Sequence, residues 1–305
     1  MDENPKITIR TYIWRARLKQ SETSSFVPKQ YLRSTGRMYF DVVICSHGES
    51  IEQLESLIFS ITLQKTKEFK LGRILLCSDD KSVKKKFEDY CTVTFIEQPS
   101  RLGKPDALNR LMKASESEII VQESADTIPI SEYTFYYLLS PFRNSNVGAV
   151  TSRPEPVNNG FMSLPRIVWS CHHFVQPKIS GELFAFKRDL VDTIPDDIIH
   201  DDTYVHKLIS KKGYTVVYEP RAVVLNRVPE TLEEFYLQRK KNVIGNLQIM
   251  EKFRELPQDK MRLRSMILMS LELLANIDGR LDYARGKAPK GLVGYRLEST
   301  KNILD

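Results

Sequence analysis

The sequence lacks the short motifs that would assign a function directly. Its 305 residues contain no G-x-G-x-x-G fingerprint and no phosphate-binding loop of the G-x-x-x-x-G-K-[ST] type. This argues against dinucleotide oxidoreductases and P-loop enzymes. The 4 cysteines are scattered, without the paired spacing of a zinc site. We interpret them as buried thiols in a reducing compartment.

Long apolar segments are also missing. No run approaches the roughly 20 residues needed to span a bilayer, and the first residues do not look like a signal peptide. We therefore expect a cytoplasmic protein, with peripheral contact at the inner face of the membrane left open. The net charge of +6 suits anionic partners such as nucleotides, phospholipid surfaces or nucleic acid, without choosing among them.

The most informative stretch covers residues 101–129. Gly103, Lys104 and Pro105 are typical of a helix start, because the missing N–H of proline costs nothing in the first turn. Apolar residues then repeat at helical spacing, and a short apolar run at 119–121 predicts a buried strand. A lysine at the helix start and the Ser-Ala-Asp loop after the strand indicate a site for phosphate and metal.

The first half of the chain alternates apolar strands with amphipathic helices, which predicts a doubly wound α/β sheet. Ligands of such sheets bind in the crevice outside the carboxyl ends of the strands. Three polar clusters follow predicted strands and are expected to converge on that crevice: residues 46–49, 79–80 and 124–126.

The second half has further predicted strands and longer helices. One helix is predicted to start near Asp201, where an acidic residue is stabilised at the N-terminus, and to end at Gly213. Another is predicted from Thr231 to Phe253, opened by a capping-box pattern. Residues 261–277 predict a second long helix, for which packed core, a dimer surface and membrane-interface docking are alternatives.

In this order, the motifs resemble the inverting family-2 glycosyltransferases with the GT-A fold. The resemblance covers residues 39–250 and rests on VVICSHGES, SDDKS, GKPDALN, SAD, GELFAF, HDD and QRKKNVIG. The C-terminal GYRLESTKNIL is similar to the tail of soluble, archaeal-type members. The resemblance implies an α/β fold with a Rossmann-like mixed sheet flanked by helices and a helical C-terminal extension.

The domain organisation follows from the same resemblance. This resemblance implies a GT-A catalytic domain over 39–230 and a helical C-terminal region over 231–305. Residues 1–38 are basic and polar without a clear period, so we expect an N-terminal arm or a surface strand there. Within the catalytic domain, 39–130 is the nucleotide-binding half and 131–230 the acceptor half.

The resemblance also implies a UDP- or GDP-linked sugar donor and Mg²⁺ or Mn²⁺ as cofactor. Asp126 would ligate the metal. Asp202 would be the general base that deprotonates the acceptor for attack at the anomeric carbon, with Asp201 as its competitor. The nucleotide would be bound by Ser46, Glu49, Asp79, Asp80, Lys104 and Ser124, with the choice between the two aspartates left open. The acceptor and diphosphate side would comprise Gly181, Glu182, His172, Gln238 and Lys241.

Two departures from the family pattern bear on function. Ser124 stands where the usual Asp-x-Asp motif has its first aspartate, and it brings no negative charge. Lys241 and Asn242 stand where the Q-x-x-R-W motif has arginine and tryptophan, and lysine lacks the bidentate fork of arginine. The missing tryptophan and the missing membrane helices favour transfer of a single sugar, to a glycan or a polyprenyl phosphate, over processive polymerisation.

Several alternatives remain. The same departures favour, as a second hypothesis, a degenerate member that binds a nucleotide-sugar or a partner without turnover. Nucleic-acid binding would rest on basic charge alone, so we predict no such partner. Asp126 could cap a turn, Asp201 and Asp202 could serve the helix dipole, and His172 with His173 could pack among aromatic side chains.

Overall fold

A mixed sheet of eight strands organises the computed structural model, which describes residues 38–157, 178–254 and 266–287. The predicted N-terminal arm up to residue 37, His172 and His173 lie outside these ranges. The strands are β1 (Tyr39–Ser46), β2 (Lys70–Ser78), β3 (Val93–Glu97), β4 (Ile119–Ser124), β5 (Ile128–Pro129), β6 (Val147–Pro156), β7 (Leu183–Lys187) and β8 (Thr215–Asn226). The helices are α1 (Ile51–Thr62), α2 (Lys81–Phe87), α3 (Lys104–Ala114), α4 (Thr134–Leu139), α5 (Asp201–Lys211), α6 (Leu232–Phe253) and α7 (Met266–Ala284).

The strand order is β3-β2-β1-β4-β7-β6-β8-β5. Strands β3, β2, β1 and β4 run parallel to one another, as the strand–helix alternation predicts. Strand β7 lies antiparallel between β4 and β6, and the short β5 pairs antiparallel with β8. The mixed α/β sheet expected from the motifs is therefore present, and it runs without a break through both predicted halves of the catalytic domain.

Helices cover both faces of this sheet. In β1, Val42 and Ile44 face the layer of α1, α2 and α4, whereas Val43 faces the layer of α3 and α5. This is the alternation of a strand buried on both sides, in which successive side chains point to opposite faces. The three side chains are fully buried, and the sheet therefore gives a rigid support to the loops at its carboxyl edge.

Local caps fix where the helices begin. Ser50 caps α1 by accepting from the Gln53 N–H, and Gly103 precedes α3 with a φ of 95°, which favours glycine. Thr231 caps α6, as predicted, by accepting from the Glu234 N–H. The Glu234 carboxylate accepts from the Glu230 N–H at 3.1 Å, so its side chain reaches back to the residue before the cap.

The structure differs from the predicted elements in three places. The charged segment of residues 84–90 predicts a short helix, but helix α2 already begins at Lys81, because Asp80 caps it. Pro129 predicts a turn after the Ser-Ala-Asp loop, but the two-residue strand β5 (Ile128–Pro129) lies there. Helix α7 extends to Ala284, beyond the predicted range of 261–277, and four of its apolar side chains are exposed: Leu273, Leu274, Ile277 and Leu281. The packed-core interpretation is wrong for the first three, which lie within the predicted range. In the described ranges, no helix combines the length and the apolar character that a membrane crossing requires.

Candidate active site at the carboxyl ends of the strands

The loop after β1 is folded around the Glu49 carboxylate. Glu49 is buried and accepts hydrogen bonds from the Ser46 hydroxyl at 2.9 Å and from the His47 N–H at 2.7 Å. A carboxylate that gathers two donors of one loop fixes the loop's conformation. Glu49 and Ser46, both predicted nucleotide ligands, are thus placed as supports of this loop, and the His47 imidazole is the side chain that the loop presents.

The two aspartates after β2 do different things. Asp80 accepts from the N–H and the hydroxyl of Ser82, both at 2.7 Å, and caps α2. The Ser82 hydroxyl and N–H hold the pKa of Asp80 below its usual value. Asp79 instead accepts from the Nδ1 of His47 at 2.9 Å. Of the two candidates, Asp79 is the one joined to the β1 loop.

The Ser-Ala-Asp loop after β4 presents Asp126 at the same edge. The Ser124 hydroxyl donates to Asp126 Oδ1 at 2.6 Å, so the serine orients the carboxylate that was predicted to bind metal. From below, Gln53 of α1 donates to the carbonyl of Ala125 at 3.3 Å. The loop is therefore held from two sides, while Asp126 itself stays partly exposed.

Two carboxyl groups lie close to Asp126. Burial raises the pKa of Glu123 to about 8, with a smaller contribution from Asp126, although the Thr127 hydroxyl donates to it. Burial also raises the pKa of Glu182, and the charges of Asp202 and Asp126 raise it further. The Glu182 carboxyl group therefore interacts electrostatically with both the predicted metal ligand, Asp126, and the predicted base, Asp202.

Lys104 begins α3 and is paired across the crevice with Asp201, the Nζ–Oδ2 distance being 3.0 Å. Burial alone would lower the pKa of Lys104, but the Asp201 carboxylate outweighs it and raises the pKa above its usual value. Burial raises the pKa of Asp201 despite this partner. Lys104 is thus a fixed positive charge whose carboxylate partner is already in place.

Asp202 is held differently from its neighbour Asp201. Its Oδ1 accepts from the N–H of Thr203 at 2.6 Å. A methyl group added at Gly181 would lie 3.6 Å from its Oδ2 and 3.8 Å from Lys104 Nζ. Burial favours the neutral acid, but the cationic surroundings, including Lys104, lower the pKa of Asp202. An ionised carboxylate with one oxygen beside a glycine has the properties of an accessible base.

Helix α6 reaches the site through His200. Burial lowers the pKa of His200 to about 4, and Asn242 hydrogen-bonds to it. The imidazole lies directly against Gly245, where an added Cβ would approach within 2.7 Å. Lys241 acts electrostatically on the same histidine, whereas the Gln238 carboxamide accepts from Arg239. Of the predicted acceptor residues on α6, Lys241 therefore acts on His200 through its charge, and Gln238 is paired with Arg239 on its own helix.

The donor set suits a cation that shares its ligands with a substrate. In the described ranges, no three histidine, cysteine, aspartate or glutamate side chains form a cage for a metal ion. Mg²⁺-type ions are commonly held by one or two carboxylates together with phosphate oxygens and water. A single oriented carboxylate, Asp126, at the mouth of the crevice fits that mode of binding.

Sequence reasoning missed three of these residues as individuals: His47, Glu123 and His200. His47 and His200 stand within recognised motifs, and a titratable side chain directly after a buried strand was the signal available for His47. Glu123 lies at the end of the buried strand β4, directly before the Ser-Ala-Asp loop. No feature of the sequence indicated that its carboxyl group would be buried beside that loop.

Comparison with known proteins was made by sequence and by structure. No family model matches the chain. It is 27% identical over 200 residues to a poly-β-1,6-N-acetyl-D-glucosamine synthase of Staphylococcus epidermidis, covering 60% of this chain and 48% of the relative. It is 23% identical over 237 residues to "Probable glycosyltransferase YdaM" of Bacillus subtilis, covering 70% and 56%. The chain thus spans about half the length of the curated relatives it matches.

Solved structures share the architecture more completely. The mannosyltransferase PcManGT from Pyrobaculum calidifontis, solved with GDP-Man and Mn²⁺, superposes with a TM-score of 0.59 at 20% identity, covering 92% of this chain and 83% of that one. Glucosyl-3-phosphoglycerate synthase from Mycobacterium tuberculosis, solved with Mn²⁺, UDP and phosphoglyceric acid, gives 0.53 at 14% identity, covering 75% and 84%. The resemblance predicted from the motifs is confirmed: the chain has the GT-A fold of these glycosyltransferases.

Proposed function

We propose that the protein is a glycosyltransferase that moves one sugar from a nucleotide-sugar to an acceptor, with inversion and with the help of Mg²⁺ or Mn²⁺. One observation carries the proposal. The Ser124 N–H, in the loop that presents Asp126, donates to the Glu182 carbonyl at 2.8 Å, and the preceding residue, Gly181, lies beside Asp202, whose Oδ2 would be 3.6 Å from an added Cβ. The residue proposed to bind metal and the residue proposed as base therefore share one crevice at the carboxyl edge of the sheet, where such folds bind ligands.

The donor half of the site is assigned to residues that follow the parallel strands β2, β3 and β4. Asp79 would accept from the base, Lys104 would face the diphosphate as a compact positive charge, and Asp126 would hold the cation. When bound there, the cation would offset the negative charge that builds on the departing nucleoside diphosphate. The solved neighbours with GDP-Man and Mn²⁺ or with UDP and Mn²⁺ support a donor of this class.

Asp202 is proposed as the general base for an acceptor hydroxyl. Its lowered pKa keeps it ionised at neutral pH, and its Oδ2 lies beside Gly181, where a side chain would otherwise stand. Asp201 is less suited, because it is bound to Lys104. An acceptor phosphate, with a second pKa of about 6, would need little proton removal, so the contribution of Asp202 also distinguishes a glycan from a lipid-phosphate acceptor.

The exposed apolar face of α7 extends the proposal to location. Leu273, Leu274, Ile277 and Leu281 would allow either peripheral contact with a membrane that carries a lipid-linked acceptor or association of two copies. Both remain part of the proposal. Flotation with anionic vesicles and sedimentation velocity distinguish them.

Donor turnover tests the proposal. The protein is incubated with UDP-glucose, UDP-N-acetylglucosamine and GDP-mannose, each with Mn²⁺ or with EDTA, and release of nucleoside diphosphate is measured. We expect metal-dependent release from one donor, lost in Asp126→Asn and kept in Asp196→Asn, a matched change at an exposed aspartate outside the site. With an acceptor, an α-linked donor should give a β-linked product by NMR. Release that persists in Asp126→Asn and EDTA contradicts the metal role.

A second candidate is a degenerate protein that binds the nucleotide-sugar without turnover. The observation in its favour is that two residues that differ from the family motifs make contacts within the protein. Ser124 donates to Asp126, and Asn242 bonds to His200. Binding of a nucleotide with no release of product from any donor, with or without candidate acceptors, would favour this function over the first.

A further inference from the structure

His47 and Asp79 form a pair across the nucleotide side of the crevice, joining two loops that are far apart in the chain. The Nδ1–Oδ1 distance is 2.9 Å, and the two side chains are 38% and 14% exposed. An ionised carboxylate only accepts hydrogen bonds, so Nδ1 carries the hydrogen. The ring's tautomer and the rotation of the Asp79 carboxylate are therefore fixed by the same bond.

The backbone beneath this pair is also held. The His47 N–H donates to the buried Glu49 carboxylate at 2.7 Å, and the Ser46 hydroxyl donates to it at 2.9 Å. On the other side, the Asp80 N–H donates to the Ser78 hydroxyl at 3.1 Å. Both members of the pair thus sit on constrained loops, which is the arrangement expected of a group that must be presented at a set angle.

The Asp79 carboxylate retains an oxygen for a ligand. Within the described ranges, Asp79 Oδ2 has no hydrogen-bond donor in contact, while Oδ1 is taken by His47. Uracil and guanine present a ring N–H that such an oxygen can accept. Adenine and cytosine present a ring nitrogen lone pair at the corresponding position, which a carboxylate repels. An attractive contact for one class and a repulsive one for the other is how a site discriminates.

We propose that His47 is a positioning residue that fixes the Asp79 carboxylate, so that the site selects donors whose base carries a ring N–H over those that do not. This rests on the proposed function, since it specifies how the same site chooses its nucleotide. Without the hydrogen bond from His47, the Asp79 carboxylate could rotate away from an unfavourable base at little cost, whereas with it the carboxylate cannot. Removing the His47 imidazole should therefore weaken discrimination between bases more than it weakens binding of the diphosphate.

The experiment measures Kd by calorimetry for UDP, GDP, ADP, CDP and inorganic pyrophosphate, each with Mn²⁺. The proteins are the full chain, His47→Ala, His47→Asn, Asp79→Ala and the double variant with His47→Ala and Asp79→Ala. Asparagine keeps an N–H that can donate to Asp79. Ser82→Ala is the matched control, because Ser82 contacts Asp80 and not the pair.

The wild type should prefer UDP or GDP over ADP and CDP, and His47→Ala should reduce that preference about tenfold, the size of one hydrogen bond to a charged group. His47→Asn should restore most of it, pyrophosphate should bind all variants alike, and His47→Ala should add nothing in the Asp79→Ala background. An unchanged preference in His47→Ala, or an additive loss in the double variant, overturns the inference. A wild type that binds neither nucleotide nor pyrophosphate overturns the proposed function, and the inference with it.

Discussion

Buried carboxyl groups are hydrogen-bonded differently at the two ends of the central strands. At the amino end of β1, Asp41 accepts from the hydroxyls of Ser115 and Ser117 and from the backbone N–H groups of Arg73 and Glu116, at 2.8–3.2 Å. At the carboxyl end, Glu123 has one oxygen, Oε2, that is buried and without a hydrogen-bond partner among the described residues. A buried carboxyl group has all its hydrogen-bond partners at one end, whereas at the other end a buried carboxyl group lacks a partner for one oxygen within the described ranges.

The difference indicates what each end is for. A fully hydrogen-bonded carboxylate stabilises the fold and specifies how the loops pack around it. Carboxyl groups crowded together with raised pKa values cost stability, and such arrangements concentrate at functional sites. Gly72 marks the first case, because a Cβ there would approach Asp41 Oδ1 within 2.5 Å. Gly181 marks the second, because a Cβ there would meet Asp202 at an ordinary contact distance and occupy space that a ligand could use.

The largest effect is expected at the carboxyl end. Asp202→Asn should lower kcat by about 10²–10⁴-fold for a hydroxyl acceptor, the range for loss of a general base, and leave the free energy of unfolding little changed. Steady-state transfer kinetics and urea denaturation measure both quantities. A loss of stability without a specific loss of kcat would place Asp202 with Asp41 among the structural carboxylates.

Asp41→Ala is the converse test. It leaves two buried hydroxyls and two N–H groups without their acceptor, so the free energy of unfolding should fall by about 3 kcal/mol or more, as when one partner of a buried charged network is removed. The fraction that stays folded should keep its kcat. Urea unfolding checks the first expectation, and activity per folded molecule checks the second. A drop in kcat at full stability would contradict the division between the two ends.

Glu123 gives the comparison a pH dependence. In the folded protein the Glu123 carboxyl group stays protonated up to about pH 8, whereas in the unfolded chain it loses its proton near pH 4.5. The native state therefore binds more protons in that window, and this contribution to stability is lost as pH rises from 4.5 to 8. Glu123→Gln, which imitates the protonated acid, should flatten the profile and stabilise the protein by about 1–3 kcal/mol at pH 7.5. Urea midpoints from pH 5 to 8 measure it, and parallel profiles for the two proteins would show that Glu123 is not protonated.

The smallest effect is expected at Gly181. In Gly181→Ala the new methyl group would be 3.6 Å from Asp202 Oδ2, an ordinary van der Waals distance. Stability should change by less than about 0.5 kcal/mol, while the KM for the acceptor should rise a few fold if the acceptor approaches Asp202 from this side. Equal KM values in the two proteins would show that the acceptor does not approach Asp202 past Gly181.

The regular elements could be predicted because they depend on local sequence. Each of three signals is contained within a few residues: the apolar run of β1, the capping of α6 by Thr231 and the glycine before α3. The convergence of the polar clusters also follows from parallel strands, whose carboxyl ends meet at one edge. The antiparallel insertion of β7 between β4 and β6 depends on pairing over long sequence separations.

Pairwise assignments within the site were beyond the sequence for the same reason. Lys104 and Asp201 are 3.0 Å apart in space but lie on different helices. Of the two neighbouring aspartates, Asp79 pairs with His47, whereas Asp80 accepts from Ser82. Such choices depend on side-chain directions that periodicity does not contain.

Nucleotide binding with and without metal tests the central claim most directly. Calorimetric titration of UDP and GDP into the full chain, in Mn²⁺ and in EDTA, is compared with the same titrations of Asp126→Asn and Asp41→Asn. The account predicts that Mn²⁺ strengthens binding of one nucleotide in the wild type and in any folded Asp41→Asn protein, and that Asp126→Asn removes the metal effect. Binding that is equal with and without Mn²⁺ in all three proteins, or no binding of either nucleotide, would contradict it.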